Sequence, residues 1–188
     1  MKLHLAHRSR RFFGSLLPVH VKAEDADWVA GLLSESELAA FYRMCVRDQV
    51  HSIGVARKVE ANLGALDSSE PSDWILVAAL MHDVGKSMVE LGTYGRVMAS
   101  LAGWAAGEEM APAWAQKRGM TRKIGLYLQH PELGADILRM ADSDPRVVAW
   151  AREHYYKPEL CSLPDDVVRL LVAADNGTLK IPDAAQVD

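Results

Sequence analysis

Cysteine is nearly missing from this chain of 188 residues, with Cys45 and Cys161 as its two examples. They stand far apart and match no zinc-site spacing, so neither a cysteine-rich metal site nor a disulfide framework organises the fold. Two reduced thiols in a reducing cytoplasm are expected. Long hydrophobic runs are lacking as well: no apolar stretch approaches the roughly 20 residues of a membrane span. Nor is positive charge in excess. Lys and Arg number 21 against 25 Asp and Glu, a net charge of −4. That balance argues against an extended nucleic-acid surface built on charge alone. Alternating apolar–polar strands and internal repeats are absent too. The opening MKLHLAHRSRRFFGSLLPVHVK is basic and then briefly apolar, broken by Gly14 and Pro18, without a clear small-residue cleavage site. It reads as an N-terminal arm or helix over 1–35, and not as a secretory signal.

What is present is helical pattern, in a chain 49% hydrophobic with few aromatics. The fold class expected is all-α, a single bundle of packed helices over 36–182 behind the short arm. A short amphipathic stretch covers 24–33. Ser34 then opens a long helix running to Gly64, with Glu37 completing a capping box. The segment LDSSEPSD is a loop, and a third helix spans about 72–84. Residues 87–120 are dotted with glycine, with short helices expected around 95–105 and 108–117. Further helices start at HPELGADILRMA, at DPRVVAWAREHYY and at LPDDVVRLLVAADNGTL. Asp144 before Pro145 is a cap and first-turn pair, and Asp165 and Asp166 suit the positive end of the last helix.

The histidines divide into two groups on this frame. His4, His7 and His20 lie in the arm, follow no apolar stripe and read as solvated. The other four occupy core-facing positions. His154 continues Val147, Trp150 and Ala151. His51 precedes Val55, His130 precedes Leu133 and Ile137, and His82 closes the nearly all-apolar helix from Trp74. Asp175 extends the stripe of Val168, Leu171 and Val172, and Asp83 follows His82 directly. Taken singly, an inward histidine is usually a hydrogen-bonded core residue and an inward aspartate a helix cap. Four imidazoles and two carboxylates in one small core are harder to satisfy, because buried carboxylates without cations are strongly unfavourable. Divalent metal ions would satisfy all six at once. Imidazole with carboxylate favours mid-row transition metals over magnesium or calcium.

The order His51, then adjacent His82-Asp83, then Asp175 resembles the H…HD…D pattern of the HD-domain metal-dependent phosphohydrolases, and HDVGK resembles their HDIGK motif. The resemblance covers about 40–180. It implies an all-α HD-domain bundle in which His51, His82, Asp83 and Asp175 hold one metal. Asp83 would bridge to a second ion held also by His130 and His154, where the two-metal members carry additional histidines. The cofactor implied is a divalent transition metal, two ions of Mn, Fe, Co or Ni. Paired ions would lower the pKa of a shared water and supply a hydroxide. The catalytic residues implied are Asp83 and Lys86, with Lys86 stabilising phosphate charge or the leaving group. A helix C-terminal lysine opposing the dipole is the plainer reading of Lys86.

The partner implied is a small phosphorylated substrate such as a nucleotide, with Lys86, Arg96, Arg122 and Lys123 as its candidate contacts. Solvated surface positions are the alternative for most of these cations. Asp48, one turn before His51, either orients that imidazole or joins a surface or N-terminal-side salt bridge. Members that cleave cyclic dinucleotides carry a GYP loop after a histidine pair. Here REHYYKPELCSLP has one histidine, then Tyr155 and Tyr156, and no GYP, so that activity is not expected. Two rivals share the pattern: a mixed-valence di-iron oxygenase with the same six ligands, and a binding module without turnover.

Overall fold

Eight consecutive side chains, Trp74 to Met81, are buried, and they form the centre of the molecule. A helix apolar on every side can be stable only with neighbours all round. The computed structural model describes residues 19–66, 72–89 and 91–179. Among them there is no strand, and ten α-helices make an all-α fold. They are α1 (Ala23–Leu32), α2 (Glu35–Tyr42), α3 (Val46–Glu60), α4 (Asp73–Met81) and α5 (Thr93–Ala106). Then follow α6 (Ala111–Ala115), α7 (Gly119–Leu128), α8 (His130–Met140), α9 (Pro145–Glu153) and α10 (Asp165–Asp175). α1, α2, α3 and α9 pack around α4, α10 lies on α3, and α8 joins α9. A smaller apolar cluster of Val89, Leu91 and Ala99 holds Ile124, Leu126 and Tyr127 beside it.

Local chemistry explains three of the helix starts. Ser34 Oγ accepts from the Glu37 backbone N–H at 3.3 Å, and the Glu37 carboxylate accepts from the Ser34 N–H at 2.9 Å. That reciprocal pair is the capping box expected there. Asp144 accepts from the Arg146 N–H at 2.8 Å, with Pro145 in the first turn of α9. Asp165 and Asp166 sit in the first turn of α10.

The single helix expected from Ser34 to Gly64 is in fact two. The chain leaves α2 at Arg43, and Cys45 adopts an extended conformation before α3. The Met44 carbonyl freed by the break accepts from Gln49 Nε2 at 2.8 Å, and Asp48 falls in the first turn of α3, where the dipole favours it. A second departure is α7, a separate helix over residues expected to carry no element of their own. It packs on α6 through Gly125, where an added Cβ would lie 2.3 Å from the Ala115 backbone nitrogen.

The arm is placed in part. Residues 1–18, with His4 and His7, lie outside the described residues, as do 180–182 at the other end of the expected domain. His20 is exposed, while Val21, Trp28 and Leu32 pack against the core. Arg57 of α3 fixes α1 from outside: it pairs with Asp25 at 3.1 Å and lies 3.7 Å over the Trp28 ring. Cys45 and Cys161 are both free thiols.

Candidate metal centre

Helix ends converge on one point. His82 is the C-terminal cap of α4, His130 the first residue of α8, His154 the cap of α9 and Asp175 the last residue of α10. His51 comes from inside α3, and Asp83 from the turn after α4. His82, Asp83, His130 and His154 are buried, while His51 and Asp175 reach the surface with side chains 20% and 19% exposed.

Three imidazoles are aimed in the same way. His82 Nδ1 lies 2.9 Å from the Ala79 carbonyl, His130 Nδ1 2.7 Å from that of Tyr127, and His154 Nδ1 2.9 Å from that of Ala151. A carbonyl only accepts, so each Nδ1 carries the proton and each Nε2 presents a lone pair to the interior. All three Nε2 atoms are buried without a hydrogen-bond partner. Burial also holds His130 below the ordinary imidazole pKa and pushes His154 down to about 3, so both rings are neutral.

Those lone pairs face carboxylate oxygens. Asp83 Oδ1 is 3.5 Å from His130 Nε2 and 3.8 Å from His154 Nε2. Asp83 Oδ2 is 3.5 Å from His82 Nε2 and 4.0 Å from His51 Nε2. Asp175 Oδ1 is hydrogen-bonded to His51 Nε2 at 3.0 Å and lies 3.7 Å from His82 Nε2. Burial acts to raise the Asp83 pKa, but the Lys86 ammonium, with His82 and His130, holds it well below the ordinary value. The carboxylate is therefore ionised.

Acceptor thus faces acceptor across the centre, an arrangement a cation between them relieves. Ligands about 2.0–2.2 Å from a shared ion stand roughly 3–3.5 Å apart, close to these separations. Two donor sets are grouped this way, one of His51, His82 and Asp83 and the other of Asp83, His130 and His154. The donor set therefore fits divalent metal binding.

A backbone contact brings the sets together. Residues Val84–Met88 form a 3-10 turn against α8, and a Cβ on Gly85 would lie 2.0 Å from the His130 carbonyl oxygen and 2.6 Å from the Gly134 nitrogen. Glycine at 85 is what allows Asp83 and His130 to approach.

The HD domain family matches residues 49–177. The chain belongs to the HD-domain family. The matched span contains His51, His82, Asp83, His130, His154 and Asp175, so the HD domain carries the whole centre. This places the protein in a superfamily of metal-dependent hydrolases. No curated protein and no solved structure matches the chain.

The remaining candidate residues of the HD domain fall in different places. Lys86 is buried with its ammonium 2.5 Å from Asp83 Oδ2. Arg96 Nη1 lies 2.6 and 2.9 Å from the two Asp48 oxygens, and Arg96 Nε donates to the Leu91 carbonyl at 3.0 Å. Arg96 is thus a bracket between α5 and α3. Asp48 is in a salt bridge, but its side chain is buried and not at the surface. Arg122 and Lys123 are exposed on α7. Two rings that spacing alone did not single out as site residues lie against the imidazoles. Tyr127 is 5.7 Å from His130, and Tyr155 is 4.2 Å from His154. Their positions three before His130 and directly after His154 were the available signal.

Proposed function

We propose that the protein is a metal-dependent phosphohydrolase acting on a nucleotide or other small phosphoester, a phosphomonoesterase or phosphodiesterase, through a centre for two ions. The observation that carries this reading is the division of labour within Asp83: Oδ2 faces His51 and His82, and Oδ1 faces His130 and His154. His51, His82, Asp175 and Asp83 Oδ2 would hold one ion, and His130, His154 and Asp83 Oδ1 the other. Divalent Mn, Fe, Co or Ni there would supply Lewis acidity and an activated water.

The chain's own residues do the rest. The Nδ1 bonds to backbone carbonyls keep three imidazoles in one tautomer. Lys86 keeps Asp83 ionised and adds positive charge beside the place where a phosphoryl group would sit. His51 and Asp175 reach the surface, so substrate approaches on their side. Arg122 and Lys123, exposed on α7, are the cations offered to a phosphorylated substrate.

The test combines metal analysis of protein purified without added metal with a panel of phosphomonoesters and phosphodiesters supplied with Mn(II). Hydrolysis, read as phosphate from a monoester or as the alcohol and monoester products of a diester, that disappears in a His82→Ala, Asp83→Ala variant is the expected result. Tightly bound iron with a mixed-valence EPR signal, and no hydrolysis of any monoester or diester, would favour the oxygenase instead.

A further inference from the structure

We propose that the ring of Tyr155 is a positioning element that gives the His130–His154 half of the centre its affinity for a second ion. The inference rests on the two-ion reading above. The two halves are built unequally. His51, His82, Asp175 and Asp83 Oδ2 offer four donors on one side, while His130, His154 and Asp83 Oδ1 offer three on the other. The poorer half depends more on how firmly its imidazoles are held.

One hydrogen bond at Nδ1 fixes a tautomer but leaves a ring free to swing about that bond. Tyr155 restrains the swing for both rings together. Its centroid is 4.2 Å from His154 at an interplanar angle of 42°, and 5.4 Å from His130 at 86°. Trp150 reaches His154 at 6.3 Å and Tyr127 reaches His130 at 5.7 Å, but the Tyr155 ring bridges the pair. Hydrogen-bonding partners behind metal ligands restrain them in this way, and losing one typically weakens metal binding about 10- to 100-fold. The Tyr155 ring restrains its two imidazoles by packing, and that range sets the scale expected for it.

The local chain holds Tyr155 where it is. It directly follows the last turn of α9, at the start of a loop that Glu153 pins. The Glu153 carboxylate accepts from the Ser162 backbone N–H at 2.6 Å and from Ser162 Oγ at 2.9 Å. Tyr155 is itself 43% exposed, whereas His130 and His154 beneath it are 3% and 8% exposed. The ring therefore also shields the imidazoles from bulk water.

Metal-free protein titrated with Mn(II), with bound ions counted per chain by EPR of the free ion, tests this. The unaltered protein binds two ions. Tyr155→Ala should keep the first at unchanged affinity and weaken the second by about 10- to 100-fold. Tyr155→Phe, which keeps the ring, should behave as the unaltered protein does. The metal-free melting temperature checks that Tyr155→Ala is folded, and Tyr155→Leu carries the same test if it is not. Three results would overturn the inference: both ions held as tightly in Tyr155→Ala, both weakened equally, or Tyr155→Phe losing the second ion as alanine does. A single ion in the unaltered protein would instead sink the two-ion reading, and this inference with it.

Discussion

The ammonium of Lys86 and the carboxylate of Asp83 form a buried ion pair one turn apart, with Nζ 2.5 Å from Oδ2. The contact uses an oxygen that also faces His51 and His82. Lys86 is therefore the resident counter-charge of the centre, and it competes for the same oxygen with any cation that enters. Removing one partner of a buried pair leaves the other uncompensated, at a cost of about 3–5 kcal/mol. Lys86→Met should destabilise the metal-free protein by about that amount in urea denaturation. Saturating Mn(II) should restore more stability to the variant than it adds to the unaltered protein. Equal metal-induced shifts in the two would show that Lys86 and metal do not share Asp83.

Gly85 offers a purely steric test. Its missing Cβ is replaced by the His130 carbonyl, and an alanine there would meet that oxygen at 2.0 Å. Because both partners are backbone, the turn and α8 must separate. Gly85→Ala should cost about 1–3 kcal/mol or more, in line with overpacked cores. It should also weaken metal binding by drawing His130 away from Asp83. Unchanged metal affinity would mean that the gap between the turn and α8 closes some other way.

The Asp48–Arg96 bracket sets a pH dependence. Burial acts to raise the Asp48 pKa, but the hydrogen bond from Arg96 and the charges of Lys86 and Arg96 leave it below the ordinary value. A carboxylate depressed in the fold contributes stability that is fully present above its unfolded pKa, about 3.9. That stability is lost as pH falls through the lower folded value. Asp48→Asn should therefore lower stability by about 1.5–3 kcal/mol at pH 7. The gap to the unaltered protein should narrow below about pH 4. Melting curves from pH 7 down to 3 decide the point, and a gap independent of pH would refute it.

Metal binding should register in stability before any substrate is known. An ion that binds only the folded state at 100 times its Kd adds about 2.7 kcal/mol. For a domain of this size that is about 5–10 °C in Tm. Mn(II) should raise the Tm of chelator-treated protein by this order, and His82→Ala should reduce the shift sharply. A shift that survives in His82→Ala would place the ion elsewhere.

The cluster of candidate donors was more legible in the sequence than the frame that carries it. His82, Asp83, His154 and Asp175 extend apolar stripes, and a polar residue on such a stripe is visible without coordinates. Helix boundaries were less visible. The break at Cys45 depends on Gln49 reaching back to the Met44 carbonyl, a tertiary choice that local propensity does not announce. The helix α7 packs through a glycine, a residue that argues against helix when read alone. Arg96 stands in the sequence as a candidate substrate contact or a solvated cation, because its partner, Asp48, is 48 positions away. Gly85 and Gly134 gave no warning that they face each other, since close backbone approach is a property of two distant segments.

His82 and His154 are oriented by the turn of helix that bears them, and His130, at the start of α8, by the Tyr127 carbonyl at the end of α7, each through a carbonyl three residues earlier. Aim is therefore a local property and convergence a global one: once the helices dock, the donors are already in register. Beyond displacing the Lys86 ammonium from Asp83 Oδ2, an ion arriving at such a centre has little left to rearrange, so capture should not wait on refolding.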